Sequence, residues 1–360
     1  MTKVITILGT RPEIIRLSRV IAVLDDLLGE DHILVHTGQN YDDRLNGLFF
    51  REMGVREPDV FMGIRADSFA DQIGRMLVAA EELFVSEKPD TVLILGDTNT
   101  GICAFVAKRM GIRVCHMEAG NRCFDDRVPE EVNRRVIDHS SSVLMPYTYR
   151  SAENLVREGI ERRRVFVTGN PIKEVLDYYA PQIDSSDPFA EFGVDSKKYF
   201  LVTAHRAEMT DDPTRLASLI DALNAVGKKY DMPVLASLHP RTKNKMEEYG
   251  IEAGLVRFVP PMGLFDFVHL EKEAFCVLSD SGTVQEECCI FGAPTVTMRD
   301  VTERPETIEC GSNILAGVEA ERILPAVDIA VRNAGNWTPP AEYMAENVSD
   351  TVARIVLGMV

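Results

Sequence analysis

The chain has 360 residues, enough for two cores of ordinary size, and its 45% hydrophobic and 26% charged residues exclude a disordered protein. With 39 basic and 56 acidic residues the formal charge is −17, which argues against a general affinity for nucleic acid or anionic lipid, so an anionic ligand must be held by a local site. No apolar run approaches the ~20 residues that span a bilayer, so no membrane partner is expected, and cysteines without a C-x-x-C pair read as buried free thiols rather than a metal site.

The opening Met1-Thr2-Lys3-Val4 enters a strand pattern at once, so no signal peptide and a cytoplasmic location are expected. Short β-branched runs then recur between helix-length segments: Val4–Leu8, His32–Val35, Thr91–Leu95, Arg113–Cys115, Ser142–Met145 and Arg164–Val167. The pattern restarts with Tyr199–Val202, Pro233–Ala236, Ala274–Leu278 and Pro294–Met298. Continuous apolar strands alternating with helices predict parallel sheets covered on both faces. About a dozen such strands are too many for one compact sheet, and more than the eight or so of a TIM barrel. The reading is α/β: two doubly wound parallel-sheet domains. The turn cluster Gly169-Asn170-Pro171 sets the expected boundaries at 1–169, 170–345 and 346–360, the last a helix crossing back onto the first domain.

Ligands of open parallel sheets sit beyond the carboxyl ends of the strands. Those positions read Gly9-Thr10-Arg11-Pro12-Glu13, His36-Thr37-Gly38-Gln39-Asn40, Gly96-Asp97-Thr98 and His116-Met117-Glu118-Ala119-Gly120. In the second half they read Ala204-His205-Arg206, Leu238-His239-Pro240-Arg241 and Ser279-Asp280-Ser281-Gly282-Thr283. Nearly every strand ends in a polar, ionisable or glycine-bearing cluster, as a convergent site requires. Ser281-Gly282-Thr283 opens a helix whose free N–H groups favour a phosphate, with Glu287 in its first two turns. Arg11, His205 and His239 would add local positive charge. The bland alternative is an ordinary N-cap with acids along the helix. With neither G-x-G-x-x-G nor G-x-x-x-x-G-K-[ST], no cofactor is expected. Asp97 reads as a proton-handling acid or an N-cap, and Glu118 as an acid or a salt pair with Arg122. Glu130, after Pro129, reads as an acid or a helix-dipole residue spaced i, i+4 from Arg134. Several carboxylates and a histidine near an anion site point to proton transfer on a phosphorylated substrate.

Taken together, these clusters resemble the non-hydrolysing UDP-N-acetylglucosamine 2-epimerases, from Gly9-Thr10-Arg11-Pro12-Glu13 through Glu118-Ala119-Gly120, Pro129-Glu130-Glu131 and Gln285-Glu286-Glu287 to Thr302-Glu303-Arg304-Pro305-Glu306. The resemblance implies two Rossmann-like doubly wound parallel-sheet domains with an interdomain cleft, arranged as in type-B glycosyltransferases, a UDP-sugar substrate and a homodimer. It implies loss of the C2 proton with anti departure of UDP, a bound glycal, and re-addition. Carried over, Asp97, Glu118, Glu130 and His205 are the catalytic residues. Arg11, Arg16, Arg134, His239, Ser281, Gly282 and Thr283 face the UDP-sugar, and Glu287 takes the ribose. Departures are Arg16 where lysine is common, Gln39-Asn40 where many bacterial members have Gln-His, and Thr283 where a second glycine is usual. Glu346-Asn347-Val348-Ser349-Asp350 replaces an Asn-Pro-Tyr-Gly-Asp-Gly motif. Gly120–Asp125, Arg127–Glu131, Ser281-Gly282-Thr283 and Asn347-Val348-Ser349-Asp350 look like the capsule and O-antigen branch, which includes enzymes forming UDP-N-acetyl-L-fucosamine. A type-B glycosyltransferase, a UDP-sugar sensor and a hydrolysing relative are the rival classes.

Overall fold

A computed structural model describes residues 2–39, 43–204, 206, 211–238 and 240–358. The chain divides into two compact units, Met1–Tyr178 with Ala341–Val360, and Tyr179–Pro340. Each unit is built on one six-stranded sheet, and every strand pair is parallel.

In the first unit the strands are β1 (Val4–Leu8), β2 (His32–His36), β3 (Val60–Phe61), β4 (Thr91–Leu95), β5 (Arg113–Met117) and β6 (Val143–Met145). They run in the order β3-β2-β1-β4-β5-β6. In the second they are β7 (Phe200–Ala204), β8 (Val234–Leu238), β9 (Val256–Val259), β10 (Cys276–Ser279), β11 (Thr295–Thr297) and β12 (Asn313–Leu315). Their order is β12-β11-β10-β7-β8-β9, the same doubly wound sequence counted from β7. Every residue of β1, β4 and β7 is buried, because helices cover both faces of the central strands. That is why they stand out as unbroken apolar runs. The chain reverses direction across the sheet between β1 and β4, and between β7 and β10, and a crevice opens at the carboxyl ends there.

Three strands escape the sequence pattern. β3 has two residues, one of them the half-exposed Phe61, β9 alternates with exposed Arg257, and β12 is only three residues long. The run Arg164–Val167, expected as a strand, is instead a 3-10 turn over Arg162–Arg164 followed by a single bridge from Val165 to Leu144. The first unit also ends later than the turn at Gly169 indicates. The helix Ile172–Tyr178 packs on the helix Arg11–Leu28 and stays with the first unit. Asn170 N–H donates to the Glu342 carbonyl at 2.9 Å, so the returning chain joins at Ala341 rather than at residue 346. The final helix Val348–Leu357 lies on Arg11–Leu28. Arg113 donates to the carbonyls of Val356 and Ile355, each at 2.8 Å, satisfying groups that a helix end leaves open. Among the described residues no helix is long and apolar enough to cross a membrane.

One turn is fixed by a close approach. Gly120 has φ 79°, and a Cβ there would lie 2.2 Å from the Ser151 carbonyl oxygen and 2.8 Å from Leu155 Cγ. Gly159 has φ 89° with nothing within 4 Å of the same point. Gly159→Ala therefore costs only the left-handed backbone penalty, ~1–2 kcal/mol, whereas Gly120→Ala costs about 4 kcal/mol or more. Denaturant melts of the two variants check this, and equal losses would refute the steric account.

Candidate functional site

The chain leaves β1 through Gly9 and Thr10 into the helix Arg11–Leu28, where Thr10 is the N-cap and Glu13 completes a capping box. The Glu13 carboxylate accepts Gly9 N–H at 2.8 Å and Thr10 N–H at 2.7 Å. It also takes the Thr98 hydroxyl at 2.8 Å, tying the loop after β1 to the loop after β4. Burial, opposed by these donors, pushes the Glu13 carboxyl up to about 7.

Asp97 follows β4. It does not cap the next turn, since Thr98 holds that position. Its Oδ2 instead accepts Arg134 Nε at 3.0 Å and Nη2 at 2.6 Å. Arg134 comes from the helix Pro129–Ser140, whose Asn133 amide donates to the Asp97 carbonyl at 3.1 Å. Arg134 Nη1 reaches Glu131 Oε2 at 2.9 Å. Glu131 is fully buried and also takes the N–H groups of Cys123 and Phe124, each at 3.0 Å. Glu130 stands next to it on the first turn, half-buried.

Glu118 follows β5, the registered neighbour of β4, with Leu95 beside Met117. Its φ of 64° is a left-handed backbone that costs a non-glycine residue of order 1–3 kcal/mol. The expected pairing with Arg122 is not what holds it. Arg122 spends itself on Asp138 and Glu158, at 2.7 and 2.6 Å, because the turn at Gly120 carries it away. The buried Arg16 donates to Glu118 Oε2, Asn121 Nδ2 donates to Oε1 at 3.2 Å, and the Tyr147 hydroxyl reaches Oε2 at 3.4 Å. The Arg16 guanidinium also lies over the Tyr147 ring, 5.7 Å from its centroid. A Cβ at Gly96 would stand 3.7 Å from Glu118 Oε2, so the loops bearing Asp97 and Glu118 are adjacent.

Beneath them His116 links both loops, with Nε2 on the Gly96 carbonyl at 2.8 Å and Nδ1 on Asp138 at 2.9 Å. Asp138 also accepts Gly120 N–H at 3.2 Å. Burial alone would raise Asp138, but His116 and Arg122 together pull its carboxyl below the usual range.

In the second unit Ser281 is the N-cap of the helix Gly282–Phe291 and makes no side-chain capping bond. Its neighbour Asp280 accepts Arg206 N–H at 2.8 Å, and a helix start of this kind is where anions commonly bind. Glu303 packs so near that a Cβ on Gly282 would sit 2.8 Å from its Oε1. Glu303 in turn receives Arg299 at 2.8 Å and Arg206 at 3.3 Å, and Glu286 pairs with Arg304. Glu287 is buried on the same helix, behind Thr283.

Of the sequence-derived residues, the first unit brings Asp97, Glu118, Arg16 and Arg134 to one pair of strand ends, with Glu130 on the adjoining helix. Arg11 opens the helix after β1, its guanidinium 5.4 Å from the Phe49 ring centroid. Ser281, Gly282, Thr283 and Glu287 share one helix of the second unit. His205, His239 and Asn40 lie outside the described residues. Sequence reading missed Glu131, Tyr147, Asn121 and Asp138. Glu131 looks like any acid in a first turn, and the other three carry no local pattern.

The profile described as UDP-N-acetylglucosamine 2-epimerase matches residues 27–357. A UDP-N-acetylglucosamine 2-epimerase structure from Rickettsia bellii superposes with TM-score 0.92 at 42% identity, covering 99% of this chain and 96% of that one. The Methanocaldococcus jannaschii UDP-GlcNAc 2-epimerase, in complex with UDP-GlcNAc and UDP, gives 0.93 at 38% identity, covering 98% and 99%. The Pseudomonas aeruginosa UDP-2,3-diacetamido-2,3-dideoxy-D-glucuronate 2-epimerase is 37% identical over 325 residues, 89% of this chain and 90% of the relative.

Asp138 anchors both acid-bearing loops, so Asp138→Asn should cost roughly 3–5 kcal/mol by leaving Arg122 incompletely paired in the interior. A carboxyl held below its ordinary 3.8 stabilises the fold above that pH, and this stability is lost as pH falls through the lower folded value. Acid unfolding curves should show this slope below about pH 4 in the wild type and a shallower one in the variant. Identical slopes would remove Asp138 from the account.

Proposed function

The chain belongs to the UDP-N-acetylglucosamine 2-epimerase family, and from that membership we propose that it inverts C2 of UDP-N-acetylglucosamine to give UDP-N-acetylmannosamine. One observation carries the reading. Asp97 and Glu118 end neighbouring registered strands, and each carboxylate is gripped by a buried arginine, Arg134 and Arg16. C2–H has no adjacent carbonyl, so its proton leaves only as the C1–O bond to UDP breaks. That calls for oriented acids near the sugar and charge stabilisation at the diphosphate. Asp97, Glu118, Glu130 and His205 handle the protons on the two faces of C2. The amides opening the helix at Gly282 take the diphosphate, with Arg11, His239, Ser281 and Thr283 beside it, and Glu287 accepts the ribose hydroxyls. UDP and a glycal stay bound until UDP re-adds from the same anomeric side and C2 is protonated on the opposite face.

The same chemistry on UDP-N-acetyl-6-deoxy-L-talosamine is the second reading, supported by Ser281-Gly282-Thr283 and Asn347-Val348-Ser349-Asp350. Either product serves cell-surface polysaccharide synthesis, and the site of action is the cytoplasm.

We further propose a homodimer. The helices Phe69–Glu87, Cys103–Arg109 and Pro129–Ser140 pack side by side in the first unit. They leave Val78, Val85, Phe105, Val132 and Val136 exposed at 57%, 60%, 47%, 49% and 42%, an apolar face suited to a second copy. Sedimentation of a Val132→Glu, Val136→Glu variant should give a monomer, and an unaltered dimer would rule this face out.

Incubation in D2O with UDP-N-acetylglucosamine, without NAD or metal, should place deuterium at C2. Sugar transfer without exchange would indicate a glycosyltransferase instead. Asp97→Asn, Glu118→Gln and Glu130→Gln should each lower kcat by about 10²–10⁴-fold with folding retained. At least one should release glycal and UDP into solution, detected by anion-exchange chromatography. Three folded variants with near-normal epimerisation would overturn the assignment.

A further inference from the structure

Behind the proposed ribose contact lies a second acid. Glu271 sits in the helix Leu264–Lys272, which packs on Gly282–Phe291. It is 0% exposed, and neither of its side-chain oxygens meets an N–H or O–H donor. Among the described residues, the ionisable groups around it are Glu287 and Cys288 on the facing helix and Tyr199 before β7, with Glu273 beyond Tyr199. None of these is a cation. Tyr199 gives its hydroxyl to the Leu270 carbonyl at 2.6 Å, so it is not a donor to Glu271. What faces Glu271 is the Glu287 carboxyl, itself 3% exposed.

Two carboxyls in contact in a dry interior cannot both stay ionised, and a hydrogen bond forms between them only if one carries a proton. Burial and then the charge of Glu287 push the Glu271 carboxyl well above the usual range, which puts the proton on the deeper residue. A protonated carboxyl is a hydrogen-bond donor, and an ionised one an acceptor at both oxygens.

We propose that Glu271 is a positioning residue for the nucleotide, donating a shared proton to one oxygen of Glu287 so that the Glu287 carboxylate is held in place to accept both ribose hydroxyls. This rests on the reading of Glu287 as the ribose ligand. Without the donor, the Glu287 carboxylate loses the hydrogen bond that Glu271 gives it. It then takes up the proton itself or turns away, and either weakens it as an acceptor.

The test compares UDP with 2′,3′-dideoxyuridine 5′-diphosphate by calorimetry in the wild type, Glu271→Gln, Glu271→Met and Glu287→Ala. The wild type should prefer UDP. Glu271→Gln keeps an N–H donor and should retain that preference within about twofold. Glu271→Met should lose about tenfold of UDP affinity while binding the dideoxy compound normally. Raising pH until the shared proton is lost should erode the preference in the wild type and leave it in Glu271→Gln. At pH 7 the wild-type minus Glu271→Gln infrared difference spectrum should contain the C=O stretch of a protonated carboxyl, a readout independent of whether Glu271→Met folds. A Glu287→Ala protein that still prefers UDP would refute the ribose reading itself. If Glu287→Ala abolishes the preference while folded Glu271→Met keeps it, or if the infrared band is missing, Glu271 has no part in positioning.

Discussion

Guanidinium groups hold the acids of the first unit, and the rest of the site depends on that grip. A carboxylate drawn out of water is costly unless a partner of good geometry meets it. Arg16 enters from the helix after β1 and meets Glu118 at the end of β5, while Arg134 enters from the helix after β5 and meets Asp97 at the end of β4. Each pair joins elements far apart in sequence. The acids are therefore fixed relative to each other by the sheet register and by two crossing side chains, with no need for a shared loop. Arginine suits this work, because its fork fixes direction as well as charge.

The pairs also carry a conformational load. Glu118 is held in left-handed backbone, and Gly120, two residues on, is packed directly on the Ser151 carbonyl. A glutamate in that conformation persists only where its surroundings over-determine it. Here Arg16, Asn121 and Tyr147 bind the side chain, and Asp138 binds the following backbone. Strain and anchoring coincide at an acid to which the proposed mechanism assigns one orientation.

How much of this was legible depends on which forces leave a local trace. Central strands such as Val4–Leu8 and Thr91–Leu95 are covered on both faces, so burial writes itself into the sequence as an apolar run. The edge strand Val60–Phe61 is held by backbone pairing with its neighbour, which leaves no such mark, and Arg164–Val167 has strand-like residues but a single bridge. Asp97 and Glu118 were legible because a charged residue directly after a buried strand has few structural uses. Their partners were not. The Arg122 pairing was a reasonable local expectation, but Gly120 turns that side chain toward Asp138. Glu131 and Glu271 were hidden for the same reason: what distinguishes either from a solvated helix acid is full burial, a tertiary fact. In Glu131 the burial is matched by backbone donors and Arg134, whereas in Glu271 it is matched by another acid.

In the function proposed above, the second unit meets the converse problem of holding an anionic nucleotide in a chain of charge −17. Its nearby arginines do not supply an uncommitted positive field. Arg304 is paired with Glu286, and Arg299 and Arg206 with Glu303. These pairs hold Glu303 beside Gly282, where a Cβ would collide with it. Among the described groups of this unit, what would then attract the proposed diphosphate is chiefly the first-turn amides, whose partial charges act over short range and in fixed directions. A site of this kind gains little from long-range steering and much from geometry. On the proposed reading it discriminates by whether phosphate oxygens and ribose hydroxyls reach the amides and Glu287 together, which is the selectivity that a UDP-sugar enzyme needs.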